Sequence, residues 1–232
     1  MSAYDAIAHI YDPWSRTVVE DVPFYVDEAR RCGGPVVELA VGTGRIAVPI
    51  AVEEIPVIGV DSSAEMLEVA AERARLAGVE LDLRFGDLRE PPVEGEFPLV
   101  IIPFRSLLHM QTDGDRRAAL AAVRDLLAPA GHFVFDVFTP GSEDIADTHG
   151  RWLEREPGIF ERADWDEERQ TLTLRVRGEG AEAELSLAWL TVPEWKELLR
   201  DEGFVVDAVY GWFDRTPWRG QEDSIWICRR TR

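Results

Sequence analysis

The residues best placed to do chemistry form the run Glu38-Leu39-Ala40-Val41-Gly42-Thr43-Gly44-Arg45. Glycines two apart at the mouth of a helix let the backbone turn tightly and approach a ligand, whose polar groups then meet free N–H donors. Such a loop suits a nucleotide-like ligand. Asp61 follows Gly42 by nineteen residues, the separation at which a carboxylate on the next strand end reaches ribose hydroxyls. Phe85-Gly86-Asp87-Leu88 adds an acid able to accept from an exocyclic adenine amine, beside an amide able to donate to the ring. Glu38, just before the loop, opposes a pyrophosphate but suits a positive ammonium. Singly, each residue is also an ordinary loop cap. Their succession is what points to an adenosine-bearing ligand.

Those acids work together only if their strands end along one edge, and the flanking sequence predicts this. Val36-Val37-Glu38-Leu39 reads as a short buried strand, and a helix begins within the glycine loop, with Pro49 expected to limit it. Pro56 to Val60 is a second strand leading to Asp61; Ser62 or Ser63 caps a long helix to Ala77, closed by Gly78. Leu81 to Phe85, Leu99 to Phe104, a helix from Asp115 to Leu127 and a strand from His132 to Val137 continue the alternation of a parallel sheet. Upstream, Asp21 is the expected N-cap of a helix over Pro23 to Arg31. After Thr139-Pro140-Gly141 the pattern changes to short alternating segments: Arg151 to Glu156, Ile159 to Trp165, Thr171 to Arg177 and Ala183 to Leu190. These predict an inserted antiparallel β unit over 140–190, within a main domain of 1–139 and 191–232. Thr191 and Glu194 have capping-box spacing for a further helix to about Glu202, and strands over Val205 to Tyr210 and Ser224 to Cys228 return to the sheet.

Composition narrows the function. With 232 residues, 46% of them hydrophobic, the chain can bury a sizeable core. No uncharged run approaches the roughly 20 residues that span a bilayer, so no membrane association is expected. The N-terminus lacks a secretory pattern, which predicts a cytoplasmic protein with Cys32 and Cys228 as free thiols. A net charge of −19 repels phosphate backbones and makes nucleic acid a poor partner. No cluster of His, Cys and acid has metal-ligand spacing along the chain, so no metal is demanded. A nicotinamide reductase remains a competing reading, because Gly42-Thr43-Gly44-Arg45-Ile46-Ala47 also reads G-x-G-x-x-A. A short-chain dehydrogenase, however, needs a tyrosine four residues before its lysine. Here the only lysine is Lys196, and position 192 is valine.

Glu38-x-Ala40-x-Gly42-x-Gly44, Asp61, Gly86-Asp87 and the strand Phe97-Pro98-Leu99-Val100 resemble the successive motifs of class I methyltransferases that use S-adenosylmethionine. The resemblance covers about residues 35–137. It implies a doubly wound α/β fold, a Rossmann-like seven-stranded sheet with its last strand antiparallel. By that likeness Glu38 with Ala40, Gly42 and Gly44 holds the methionine moiety, Asp61 the ribose, and Asp87 with Leu88 the adenine. Ser62, Met66 and Phe104 complete the cofactor site, and S-adenosylhomocysteine is the product. Two positions depart from the pattern: Ala40 replaces the usual first glycine, and Pro98 a common acid.

The acceptor can be partly delimited. No Asn/Asp/Ser-Pro-Pro-aromatic element is present, since Pro91-Pro92 is followed by Val93, and no Pro-Cys offers a thiolate. A small-molecule oxygen or nitrogen is the expected acceptor, with a monomer or homodimer as the working unit. The segment Tyr4 to Asp12 and the run Phe104-Arg105-Ser106-Leu107-Leu108-His109 are similar to those of bacterial small-molecule methyltransferases, including sugar-amine N-methyltransferases. That similarity puts Tyr11 and His109 at the transferring methyl. His109 suits a base, since imidazole titrates near neutrality, or is simply a packed histidine. Trp14, Arg16 and Arg105 are candidate substrate contacts, and the insertion, with its tryptophans, a candidate lid. A protein that binds the cofactor or its product without catalysis is the alternative from another class.

Overall fold

The computed structural model describes residues 2–15 and 19–231. In chain order the elements are α1 (Ala8–Trp14), α2 (Asp21–Cys32), β1 (Val36–Leu39), α3 (Ala47–Val52), β2 (Val57–Asp61), α4 (Ala64–Ala77), β3 (Asp82–Phe85), β4 (Phe97–Ile102), α5 (Asp113–Leu126) and β5 (Leu127–Phe138). There follow α6 (Ser142–Thr148), β6 (Trp152–Glu156), β7 (Ile159–Asp166), β8 (Thr171–Gly178), β9 (Ala181–Ala188), α7 (Val192–Asp201), β10 (Phe204–Tyr210) and β11 (Asp223–Arg230). Short 3-10 turns at Ala3–Ala6 and Ser106–His109 complete the set.

Seven strands form one sheet in the order β3-β2-β1-β4-β5-β11-β10. β1 to β5 pair in parallel, and β11 runs antiparallel to both neighbours. The doubly wound mixed sheet is therefore the one the sequence predicts. Strand residues of period two feed the two faces separately. Val37, Val100, Phe133 and Phe135 pack with Leu120 and Val123 of α5 and Trp195 of α7. Val36, Leu99, Ile101 and Val134 pack with Tyr25 of α2 and Ile50 of α3. At the centre Phe135 stacks on Trp226, with centroids 5.7 Å apart and planes 4° apart.

The insertion is a separate four-stranded antiparallel sheet, β6-β7-β8-β9. Glu179 and Gly180, both at positive φ, make the tight turn that joins β8 to β9. A third apolar cluster joins this sheet to the N-terminal segment: Ile7 and Ile10 pack on Ile159, Val176, Ala183 and Leu185. No helix among the described residues is long and apolar enough to cross a membrane.

Local signals resolve as follows. Ser63, not Ser62, caps α4, accepting from the Met66 amide, and Gly78 closes that helix in the left-handed region. The Thr191–Glu194 capping box forms. Asp21 is not an N-cap: it is the first residue of α2, fully buried, and its carboxylate grips Arg45 through two hydrogen bonds of 2.8 and 2.5 Å. Pro49 does not limit α3, because it sits in the first turn, where a missing N–H leaves no intrahelical partner lost.

Candidate active site

The glycine loop leaves β1 with Ala40 at φ 60°, Gly42 at φ 55° and Gly44 at φ 73°. Ala40 thus adopts the left-handed turn usually left to glycine, at a steric cost of about 1 kcal/mol. Gly44 packs the loop on α4, since an added Cβ would lie 3.2 Å from that of Ala70. At Gly42 a Cβ would meet nothing within 4 Å, because that residue borders a cavity of about 370 Å³. The cavity lies along the carboxyl ends of β1, β2 and β3. Ala40, Gly42, Asp61, Ser62, Met66, Asp87, Leu88 and Phe104 all border it.

Asp61 is held by the loop it faces. One oxygen accepts from the Gly42 amide and the other from the Ser63 amide, each at 2.8 Å. Burial pushes its carboxyl up, and these amides pull it back toward the ionised form. The Ser62 amide also bonds this carboxylate, which still keeps acceptor capacity for a ligand hydroxyl. Asp87 is partly exposed and bound by Arg89, whose guanidinium approaches at 2.6 Å and holds the carboxyl below its usual range. Glu38 and Gly44 do not border the cavity. Glu38 lies behind the loop, 1% exposed, with Oε2 lacking any hydrogen-bond partner and its pKa raised by burial. Its unpartnered oxygen is screened from the cavity by the loop itself.

A second cavity, also about 370 Å³, adjoins the first and is bordered by Trp14, Arg105, Phe138 and Trp165. Tyr4, Tyr11, Phe104, His109 and Leu185 border both cavities. This shared wall is the centre of the site. His109 Nε2 lies 2.8 Å from the Tyr4 hydroxyl, and the ring also bonds the Ser186 backbone in β9. An imidazole donating to that carbonyl leaves Nε2 to accept the Tyr4 proton. Burial lowers the His109 pKa to about 4 and holds both phenols above their ordinary value, so all three groups are neutral near pH 7. Tyr11 packs edge-on against Tyr4, Trp14 and Phe104.

The sequence singled out Tyr11; the structure adds Tyr4 as the partner of His109. The available signal was its place in the Tyr4 to Asp12 segment already singled out, for Tyr4 stands in the 3-10 turn and Tyr11 in α1. Asp136 and Tyr25 had no such signal. Phe104 and Arg105 occupy consecutive left-handed conformations, φ 56° and 63°. Their amides donate to the two oxygens of Asp136, at 2.8 and 3.1 Å, and Tyr25 donates to the same carboxylate at 2.6 Å. Arg105 borders the second cavity, paired with Asp223 at 2.8 Å and stacked over Phe138. Arg16 lies outside the described residues.

A doubly wound sheet with a glycine loop, two strand-end acids and a second cavity meeting the first defines an α/β domain with a two-part crevice at the carboxyl ends of its strands. Comparison with known proteins specifies the kind. Residues 36–131 match the family described as "Methyltransferase domain". YqeM, named as a methyltransferase in Bacillus subtilis (strain 168), is 32% identical over 139 residues, 59% of this chain and 53% of that one. The chain thus spans about half the length of that relative. An S-adenosylmethionine-dependent methyltransferase from Clostridium acetobutylicum superposes with a TM-score of 0.82 at 17% identity, covering 100% of both chains. CalS10, an amino pentose methyltransferase from Micromonospora echinaspora solved with S-adenosylmethionine bound, superposes at 0.67 and 21% identity over 93% of each. Residues 36–131 are thus similar to methyltransferase domains, and the whole chain shares the fold of S-adenosylmethionine-dependent methyltransferases. The residues fit S-adenosylmethionine as cofactor: Gly42 opens onto the cavity without a side chain, Asp61 keeps acceptor capacity, and the orphaned Glu38 Oε2 is an unused buried acceptor behind the loop.

Proposed function

We propose that this protein methylates an amine nitrogen of a small molecule seated in the second cavity. The observation supporting the reading is the wall of Tyr4, Tyr11, Phe104 and His109 common to both cavities, so that a donor in one and an acceptor in the other would meet across the same few side chains. When bound, the cofactor supplies an electrophilic methyl on a sulphonium. The chain's own residues then have three tasks: align the acceptor, exclude water and receive a proton.

Nitrogen is favoured over oxygen by the protonation states. A hydroxyl needs a base to become nucleophilic, and His109, with a pKa of about 4 and its Nε2 engaged by Tyr4, is a weak one. A neutral amine attacks with its own lone pair and sheds a proton afterwards. Tyr4, donating to His109, turns its oxygen lone pairs outward, where they can accept from an amine N–H and aim the nitrogen. The second cavity also suits a cation in transit. Asp144, Glu161, Glu222 and Asp223 border it against only Arg105 and Arg155, which are paired with Asp223 and Glu161 at 2.8 and 2.7 Å. Trp14 donates to Glu161 at 2.7 Å, which fixes one aromatic wall. CalS10, whose acceptor is an amino pentose, supports the same reading by likeness of fold. The inserted sheet supplies Leu172, Leu174, Leu185 and Leu187 to this cavity and in this reading serves as its lid.

A panel of amino sugars and other small amines, matched with alcohols and phenols, tests the proposal through S-adenosylhomocysteine release and the mass of the product. Methylation of amines, reduced at least about tenfold by Tyr4→Phe and by His109→Ala, is expected. Methylation confined to oxygen would overturn the nitrogen assignment. Tight S-adenosylhomocysteine binding with no turnover on any acceptor would favour the non-catalytic alternative.

A further inference from the structure

At the edge of the sheet opposite the glycine loop, folding brings His132 to two residues of α2, the nearer of them 100 positions earlier in the chain. Glu28 and Cys32, one turn apart on α2, present their side chains to His132 of β5. One potential ligand atom from each lies within 4.8 Å of the others, and the Cys32 sulfur is 3.2 Å from His132 Nδ1. Tetrahedral zinc, with bonds of about 2.3 Å to sulfur and 2.0 Å to nitrogen, needs that pair about 3.5 Å apart. The cluster borders a surface cavity of about 450 Å³, which leaves room for a water as fourth ligand.

We propose that Glu28, Cys32 and His132 bind a divalent cation of the zinc type, joining α2 to β5. Thiolate, imidazole and carboxylate together are a donor set suited to zinc and poorly suited to magnesium or calcium. Two features fit the site to a cation. Asp207 borders the same cavity; its carboxylate is held by Arg229 at 2.5 Å, so it lends the pocket an acidic wall without bonding the imidazole. Arg215 approaches Glu28 at 2.6 Å but also Asp27 at 2.9 Å, and Arg31 likewise reaches Asp27 at 3.0 Å. Both cations therefore keep a carboxylate partner when Glu28 turns to a metal. Binding exchanges the Cys32 thiol proton for the metal–sulfur bond, and the proton passes to solvent.

The test uses the untagged full chain, purified with a chelator and kept reduced by a phosphine. Zinc chloride is titrated calorimetrically, and cobalt chloride is followed by thiolate-to-metal absorption. One equivalent should bind, with that absorption present and the melting temperature raised by zinc. Cys32→Ser and His132→Gln should each weaken binding at least about tenfold and abolish the thermal shift. Circular dichroism without metal verifies that each variant is folded, and either variant alone suffices if the other is not. No saturable uptake by the wild-type chain, or uptake unchanged in a folded variant, would overturn the site. Because the cluster lies at the other sheet edge, the result is independent of methyl transfer.

Discussion

Asp136 shows how one side chain can shape a site without bordering either cavity. Two successive residues in the left-handed region are strained by about 1–2 kcal/mol each, and the carboxylate that gathers their amides is what holds them there. Asp136→Asn leaves one oxygen to accept but turns an amide NH2 toward a backbone donor. It should destabilise the protein by about 1–3 kcal/mol in urea unfolding. The pH dependence has a definite sign. Burial raises the Asp136 pKa to about 6, above its unfolded value of roughly 4. The native state therefore holds the proton more tightly between those values, and the stability tied to it is present at low pH and lost as pH rises through 6. The Asp136→Asn penalty should grow between pH 6 and pH 4.5; a flat penalty would contradict this assignment. Gly42 supports a second substitution. Ala there is strained by about 1 kcal/mol at φ 55° and directs its methyl into the open cavity. Gly42→Ala should lower S-adenosylhomocysteine affinity, measured calorimetrically, by more than tenfold while melting falls by only a few degrees.

Elements with strong local signals were legible from sequence. β1, β2 and the helix closed by Gly78 follow from apolar runs and caps, and the Thr191–Glu194 box marks α7 to the residue. Thr191→Ala removes that box and should reduce unfolding free energy by about 1 kcal/mol. Legibility failed where tertiary contacts decide. α1 has seven residues, no side-chain cap and an internal Pro13, so its own sequence scarcely favours a helix. It is ordered by Ile10, buried with Ile7 on the inserted sheet. α6, also of seven residues, and the four-residue 3-10 turn bearing His109 are as weakly marked. The glycine loop and strand-end acids of the site were readable because their chemistry is local in sequence. The pairings Tyr4 with His109 and Asp136 with Phe104 and Arg105 span 105, 32 and 31 residues, and no periodicity encodes them. Asp21 misled for a related reason: an acid beside a helix start reads as a cap, whereas Arg45, 24 residues on, had claimed it.

At the scale of the molecule, the site has a floor and a roof with different allegiances. The floor is the sheet edge. The roof is the N-terminal segment packed with β6–β9 as one apolar body, and Tyr4, Tyr11 and Leu185 hang from it over both cavities. Few polar ties hold the segment to the floor. Asp12 accepts from Thr43 Oγ1 at 2.7 Å, in the glycine loop, and pairs with Arg73 of α4; Asp5 accepts from Ser63 Oγ at 2.6 Å. Thr43 and Ser63 adjoin Gly42 and Ser62, which border the cofactor cavity, so ties that seat the roof also shape the loop beneath it. Bonds to charged groups contribute about 1.5–3 kcal/mol each, which is large against a seven-residue helix and small against the core of the sheet. Cutting them should therefore loosen the roof before it unfolds the domain. Asp12→Ala is expected to weaken S-adenosylhomocysteine binding about tenfold or more, with a small change in urea midpoint. Amide exchange over residues 3–14 should become faster in the variant and be slowed again by saturating ligand. Unchanged affinity with unchanged exchange would mean that Ile7 and Ile10 alone seat the roof, and that the polar ties along its rim are incidental.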